Sequence, residues 1–237
     1  MWYKKYGWDE NPFSVKPSAE GLVGLDEHRE KILDFVHSGT ICFLTGPAGV
    51  GKSSTLKWVQ QNIKDHTPIY IDAEQTEGIF DLSEYLKQHR SLWETVLGHE
   101  YPKSVVILLD ESHATEEKLK KTLKLFWDHD YIKSIVLTQI PPLNNFSSSV
   151  RNRIGNRVIK LDRMDVKNVH EMIELRTDGK IPFTKDALEL IAKKSDYVPR
   201  KILENCEAVC IDIKGKKNID VSDVNKVLGK KTVLKKR

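Results

Sequence analysis

The chain lacks any long hydrophobic run. Its longest purely aliphatic segment, Val105–Leu109, is five residues long, whereas a membrane-spanning helix needs roughly 20 apolar residues. The first residues, Met1 to Lys5, contain no apolar stretch of the kind found in secretory signal peptides. We therefore expect a cytoplasmic protein that is not inserted in a membrane.

Cysteine is also scarce, with three residues in 237. Cys42 lies in an apolar run, and Cys206 and Cys210 are four residues apart on a predicted helix, so they share a face. No nearby Cys-x-x-Cys or His pair supplies the further ligands that a metal would need. We predict three buried free thiols.

Most of the chain has no large excess of positive or negative charge. The formal net charge is +4, but residues 224–237 contain six basic side chains and no acidic one. Without them, 32 basic residues face 34 acidic ones. The basic residues of this tail are Lys226, Lys230, Lys231, Lys235, Lys236 and Arg237. Such a tail either contacts nucleic acid or is a solvated terminus, and the sequence leaves both interpretations open.

Short apolar strands alternate with helical segments over the first two thirds of the chain. Strands are predicted at residues 41–44, 69–71, 105–109 and 135–137, and helices at 25–37, 53–63, 80–97 and 115–128. After about residue 163 only helices are predicted, at 165–176, 184–193, 200–213 and 221–228. This order predicts an α/β fold, with a parallel sheet flanked by helices and followed by a small all-α domain. The predicted divisions are an N-terminal arm (1–20), an α/β domain (21–163), a helical domain (164–229) and a basic tail (230–237).

Two further segments allow more than one interpretation. Aromatic residues in the N-terminal arm alternate with basic ones: Trp2, Tyr3, Lys4, Lys5, Tyr6 and Trp8. They could stack on bases, dock a partner protein, or pack back onto their own domain. The predicted helix from Glu116 to Trp127 carries a lysine face, which either meets nucleic acid or is simply solvated. Its lysines are Lys118, Lys120, Lys121 and Lys124.

A glycine-rich loop follows the first predicted strand and opens a helix. It reads Gly46, Pro47, Ala48, Gly49, Val50, Gly51, Lys52 and Ser53, which matches GxxxxGK[ST]. Its glycines let backbone N–H groups curl around phosphate, and the helix N-terminus adds its positive dipole end. Lys52 supplies a positive charge to the β- and γ-phosphates, the hydroxyl of Ser53 is a ligand for Mg²⁺, and Ser54 extends the nucleotide-binding segment. The motif predicts binding of ATP with Mg²⁺.

The third predicted strand ends in two carboxylates, Asp110 and Glu111. Ligands of open α/β sheets bind at the carboxyl ends of the strands, so Asp110 is expected to hold Mg²⁺ and Glu111 to activate the attacking water. A small-molecule kinase needs no such glutamate, and Glu111 therefore favours hydrolysis. The fourth strand ends at Thr138-Gln139. We expect Gln139, or failing that Thr138, to touch the γ-phosphate or the water.

Together these residues resemble the AAA+ ATPases, and the resemblance covers about residues 10–230. Two branches look similar. One holds the archaeal origin-recognition and initiator ATPases with the related clamp loaders. The other holds the ATPases of general secretion and transposition regulation. Three motifs resemble the second branch: Asn11-Pro12-Phe13, Arg153-Ile154 and Val198-Pro199-Arg200.

The resemblance implies roles that the spacing alone does not. Val23 and Gly24 would line the adenine pocket, and Arg200 would be the arginine of a helical lid that reads the γ-phosphate. One of Arg151, Arg153 and Arg157 would be an arginine finger that reaches the ATP of a neighbouring subunit, with Arg153 as the best match. A homo- or hetero-oligomer is therefore expected.

The resemblance also has a departure. An archaeal initiator normally carries a winged-helix domain after the lid, and this chain ends near the lid. We expect any DNA contact to come from the ATPase body, the tail or a partner. The sequence leaves three functions open: a DNA-transaction ATPase, a protein-directed motor or assembly factor with an unidentified protein partner, and a switch that seldom hydrolyses ATP.

Overall fold

A parallel sheet forms the centre of the computed structural model. The structure describes residues 1–76, 80–141 and 146–234, and from residue 230 onwards it describes the backbone alone. Its strands are β1 (Ile41–Thr45), β2 (Thr67–Asp72), β3 (Val105–Asp110), β4 (Ile132–Gln139) and β5 (Val158–Lys160). They are ordered β2-β3-β4-β1-β5, and every pairing is parallel. Among these described residues, no helix is long and apolar enough to cross a membrane.

Ten α-helices are described. Those of the α/β part are α1 (Asp26–His37), α2 (Lys52–Asn62), α3 (Leu82–Gln88), α4 (Leu92–Val96), α5 (Glu117–Asp128) and α6 (Ser148–Ile154). A C-terminal helical bundle follows, made of α7 (Val166–Arg176), α8 (Lys185–Lys194), α9 (Pro199–Ile213) and α10 (Val221–Leu234). The predicted fold class, a parallel sheet flanked by helices, is confirmed.

Three local features differ from the sequence prediction. The single helix predicted at 80–97 is two short helices, because Ser91 starts a new one through a capping box with Glu94. Helix α6 and strand β5 were not predicted. Strand β5 has only three residues, one of which is buried, so it carries almost no periodic signal.

Each face of the sheet is covered by a different set of helices. Helices α1 and α2 pack on one face, where Leu56 and Val59 meet alternate residues of β1, β3 and β4. The other face is covered by α3, α5 and α6, whose buried residues include Leu86 and Leu123. Because both faces are buried, the five residues Val105–Leu109 are all fully buried. Successive side chains of a strand therefore point to different helical layers.

The N-terminal arm packs against the C-terminal bundle. Tyr6, Trp8 and Phe13 are buried in the same hydrophobic cluster as helices α7 to α10, and the hydroxyl of Tyr6 donates to the carbonyl of Cys210 at 2.9 Å. Trp2 packs against this cluster as well. Of the three interpretations of these aromatics, packing onto their own chain is the one observed.

The basic tail is described only in part. Helix α10 continues to Leu234, so the backbone of residues 230–234 is helical. Lys235, Lys236, Arg237 and the side chains from Lys230 onwards lie outside the described part of the structure. The prediction that the tail contacts nucleic acid stays open.

The remaining composition-based predictions have clear outcomes. All three cysteines are free and buried, as predicted, and burial raises the pKa of the Cys42 thiol to about 12. On the lysine face of α5, Lys120 pairs with Glu117 and Lys124 pairs with Asp128. Half of this face is thus engaged within the chain.

Packing of the arm predicts that Phe13 stabilises the helical bundle. Phe13 is fully buried, so we expect Phe13→Ala to lower the free energy of unfolding by about 3–5 kcal/mol. Chemical denaturation followed by circular dichroism measures this change. Val15→Ala is the control, because Val15 lies in the same arm with 41% of its surface exposed. Equal effects of the two substitutions would contradict the packing role.

Candidate functional site

The glycine-rich loop, Gly46–Gly51, joins β1 to α2 and packs closely against Leu161 and Arg200. A Cβ atom on Gly46 would lie 2.4 Å from the carbonyl oxygen of Leu161, and one on Gly49 would lie 2.9 Å from the Cβ of Arg200. Gly49 also has a φ of +82°, which favours glycine. Neither position can hold a side chain without moving the backbone or helix α9.

Lys52 is the first residue of α2 and is 5% exposed. Its Nζ donates to the carbonyl oxygens of Gly46 at 3.0 Å and Pro47 at 3.1 Å. Burial lowers the pKa of this ammonium group, and the nearby carboxylates of Glu111 and Asp110 act in the opposite direction. The predicted loop lysine and the two predicted carboxylates are therefore brought together.

The carboxylate of Asp110 is buried and held by three donors. Its Oδ2 accepts from the hydroxyl of Tyr70 at 2.7 Å. Its Oδ1 accepts from the hydroxyl of Thr138 and from the backbone N–H of Glu111, the latter at 3.1 Å. Sequence analysis missed Tyr70, since it points to Asp110 only because β2 and β3 pair in the register that places their ends side by side.

Glu111 lies just beyond the end of β3 in the left-handed region, with a φ of +46°, a conformation that costs energy for a residue with a side chain. Burial raises the pKa of its carboxyl group, as does the charge of Asp110, while Lys52 and His113 oppose the shift. The Nδ1 of His113 lies 3.3 Å from Glu111 Oε2. His113 is thus adjacent to the predicted catalytic carboxylate.

The two polar residues at the end of β4 point to different faces of the sheet. Thr138 contacts Asp110 on the α2 face, and its hydroxyl also accepts from the N–H of Glu111 at 3.2 Å. Gln139 is fully buried, and its Oε1 accepts from the hydroxyl of Ser112 at 3.2 Å. Strand alternation turns Gln139 to the side of the sheet opposite α2 and Thr138 to the side of Asp110, and the role predicted for either residue at the γ-phosphate stays a prediction.

A cleft lies between the glycine-rich loop and the helical bundle. Val23 and Gly24 line it together with Ser53, Ser54 and Arg200. The backbone N–H of Arg200 donates to the carbonyl of Gly49 at 3.2 Å, so the start of α9 touches the loop directly. The residues assigned to an adenine pocket and to a lid thus share one cleft with the loop.

The three candidate finger arginines lie away from this cleft. Arg153 is engaged within the chain, since its guanidinium donates to both carboxylate oxygens of Asp128 at 3.0 and 3.1 Å and to the hydroxyl of Ser149 at 2.7 Å. Arg157 donates to the carbonyl of Arg153 at 3.1 Å. The side chain of Arg151 is exposed and forms no hydrogen bond or ion pair with any residue in the described part of the chain.

The donor set fits a magnesium nucleotide. Ser53 and Asp110 offer oxygen ligands, which Mg²⁺ prefers, and Mg²⁺ usually completes its shell with water and phosphate. Within the described ranges, no group of three or more His, Cys, Asp or Glu side chains could hold a metal ion by itself. A metal bound here would therefore depend on further ligands, such as water or the phosphates of a bound nucleotide.

Comparison with known proteins gives a match only at the level of structure. No family model and no curated protein sequence matches the chain. The Thermotoga maritima RuvB Holliday junction branch migration motor is 18% identical with a TM-score of 0.63, over 92% of this chain and 72% of that one. Aeropyrum pernix Orc1, solved in complex with DNA, is 13% identical with a TM-score of 0.67, over 91% and 66% of the two chains.

A third similar structure is the Drosophila origin recognition complex, ORC, bound to DNA. It is 16% identical with a TM-score of 0.62, over 96% of this chain and 64% of that one. At these identities the similarity concerns the fold. The predicted resemblance to AAA+ ATPases of the origin-recognition type is therefore confirmed as a resemblance of fold.

Proposed function

We propose that this protein binds Mg·ATP and hydrolyses it to drive a DNA transaction. One observation carries the ATPase proposal: the buried ammonium of Lys52 lies beside Asp110 and Glu111 at the mouth of a glycine loop. Loop carbonyls hold this ammonium group at the start of α2, where its positive charge is placed to bind an anionic ligand. The oxygen ligands and the AAA+ fold support the same conclusion.

Each residue of the site has a distinct task in this proposal. Backbone N–H groups of the loop and the Nζ of Lys52 bind the β- and γ-phosphates. Ser53 and Asp110 would hold Mg²⁺, which when bound would neutralise part of the phosphate charge. Glu111 accepts a proton from the attacking water, and its raised pKa brings it nearer to the range useful for a general base. Arg200 reads the γ-phosphate.

Thr138 takes the place that sequence analysis gave first to Gln139. Its hydroxyl bridges the carboxylate of Asp110 and the backbone N–H of Glu111, so it links the metal-binding carboxylate to the backbone of the water-activating residue. We propose that Thr138 senses the state of the γ-phosphate. Gln139, buried against Ser112, is then a supporting residue for the turn that follows β3.

Two substitutions separate binding from turnover. We expect Lys52→Ala to weaken ATP binding about 10- to 100-fold, because charge-assisted hydrogen bonds are lost. We expect Glu111→Gln to bind ATP normally and to lower turnover about 100-fold or more, because the general base is lost. Calorimetry and a steady-state phosphate-release assay measure the two quantities. Lys64→Ala is the control, because Lys64 is exposed and lies two residues beyond α2. Unchanged ATP binding by Lys52→Ala would refute the proposed site.

The DNA part of the proposal rests on the structural neighbours, two of which were solved with DNA. We expect DNA to stimulate steady-state ATPase activity, and the stimulation to fall steeply between low and high salt, because phosphate contacts release counterions. The assay compares single- and double-stranded DNA at two salt concentrations.

A protein-directed motor or assembly factor is the second candidate. The near balance of 32 basic and 34 acidic residues outside the tail favours it, since a DNA-binding surface is usually basic. ATPase activity that is indifferent to DNA at every salt concentration would overturn the DNA proposal in favour of this one.

Arg151 is the better candidate for a finger that acts in a neighbouring subunit. It is exposed, whereas Arg153 would first have to leave Asp128 and Ser149. We expect Arg151→Ala to lower turnover about 1000-fold in the assembled state. Mixing this variant with Lys52→Ala should restore part of the activity, because one of the two kinds of mixed interface joins the intact site of Arg151→Ala to the intact finger of Lys52→Ala. The same mixing experiment with Arg153→Ala is the comparison. If the Arg153→Ala mixture recovers activity and the Arg151→Ala mixture does not, the finger is Arg153.

A further inference from the structure

One face of helix α7 lines the nucleotide cleft. Asn168, Met172 and Arg176 are spaced four residues apart, so they follow one another along a single face of the helix, and all three border the cleft. Residues 14–17 of the N-terminal arm border it as well. The aromatic part of the arm belongs to the bundle core, but this next part has no role in the proposed function.

Arg176 joins the helix to the arm. Its Nη1 donates to the carbonyl oxygens of Pro12 at 3.3 Å and Ser14 at 3.0 Å. Burial lowers the pKa of this guanidinium, and Glu20 is the nearby carboxylate that acts against the shift. Burying a cation is costly unless its hydrogen bonds are made. Here Nη1 donates to the backbone of the arm, while the buried Nε has no hydrogen-bond partner among the described residues.

Two glycines allow the next segment to close over this arrangement. A Cβ atom on Gly21 would lie 3.3 Å from the Nε of Arg176, and one on Gly24 would lie 2.3 Å from the Nδ2 of Asn168. Both glycines have a φ of +69°. The segment that leads into the predicted adenine pocket therefore rests directly on the side chains of α7.

We propose that Arg176 is a positioning residue that holds residues 12–17 of the arm as one wall of the nucleoside end of the cleft. The arm then contributes to recognition of the base and ribose, while the glycine loop and Lys52 hold the phosphates at the other end. This inference rests on the proposed nucleotide binding. It gives the arm a part in the site, beyond its packing against the bundle.

A purely structural role for Arg176 predicts different behaviour. Lys180 offers the comparison, because its Nζ donates to the carbonyl of Gly7, in the same arm, at 3.1 Å, but it does not border the nucleotide cleft. If the only role of Arg176 were to attach the arm, loss of the Arg176 or the Lys180 side chain would have the same effect on nucleotide affinity. If Arg176 shapes the nucleoside wall, its loss alone weakens nucleotide binding.

The ligand comparison separates the two ends of the cleft. ATP contacts both ends, whereas inorganic tripolyphosphate has no base or ribose and contacts only the loop end. Calorimetry measures the affinity of each compound for the wild-type protein and for R176A, R176K and K180A. Hydrogen exchange of a peptide that covers residues 12–17 reports the order of the arm in each variant.

We expect R176A to bind ATP about tenfold more weakly, because hydrogen bonds from a charged group are lost, and to bind tripolyphosphate as the wild type does. Exchange in residues 12–17 rises in R176A, and ATP no longer protects this segment. R176K restores part of the ATP affinity, since an ammonium group can donate to one of the two carbonyls. K180A binds both compounds normally.

Several outcomes would overturn the proposal. ATP affinity that is unchanged in R176A contradicts it, and so does equal weakening of ATP and tripolyphosphate. If R176A fails to fold, R176K decides the matter: wild-type ATP affinity and arm protection in that variant refute the positioning role. A wild-type protein that binds neither compound would refute the proposed function itself, whereas wild-type binding with an unaffected R176A refutes only the inference.

Discussion

The buried ammonium group of Lys52 is the constraint on which the rest of the site depends. Its charge must be compensated, and the compensation comes from two carbonyls of the loop and from the nearby Asp110 and Glu111. This arrangement requires that β1 and β3 end at the same edge of the sheet. It also requires a loop of small residues, because Gly46 and Gly49 have no space for a Cβ atom.

The same close packing connects the α/β part to the helical bundle. The start of α9 touches the loop at Gly49 through the N–H of Arg200, and the N-terminal arm is buried in the bundle core through Phe13. The chain thus enters the bundle at its beginning, leaves it to build the sheet, and returns to it after β5. The loop and the arm therefore both contact the bundle, the loop at Arg200 and the arm at Arg176.

The structural neighbours share the fold of this chain but little of its sequence. RuvB and the origin-recognition proteins share the architecture at TM-scores of 0.62 to 0.67, although fewer than one residue in five is identical. Packing of a two-faced parallel sheet tolerates wide exchange of apolar residues. The fold is therefore shared among these proteins without close sequence similarity, whereas the function of each depends on the particular side chains of its sites.

Local signals in the sequence were sufficient to predict the parallel sheet, the helical bundle and the residues of the loop. The apolar run Val105–Leu109 and the glycines before Lys52 act over a few neighbouring residues, so their pattern is legible without the fold. Contacts between distant segments were decided by the tertiary structure. Tyr70 meets Asp110 only through the register of β2 and β3.

The tertiary structure also decided which side chains Thr138 and Gln139 contact, because the two residues point to opposite faces of the sheet. The exposure of Arg151 and the pairing of Arg153 with Asp128 also depend on how α6 packs beside α5. The sequence by itself determined most of the element types and the glycine-rich loop before Lys52, because those follow from local periodicity and spacing. Only the tertiary structure decided which side chains share the site, because strand pairing and helix packing join residues that are far apart in the chain.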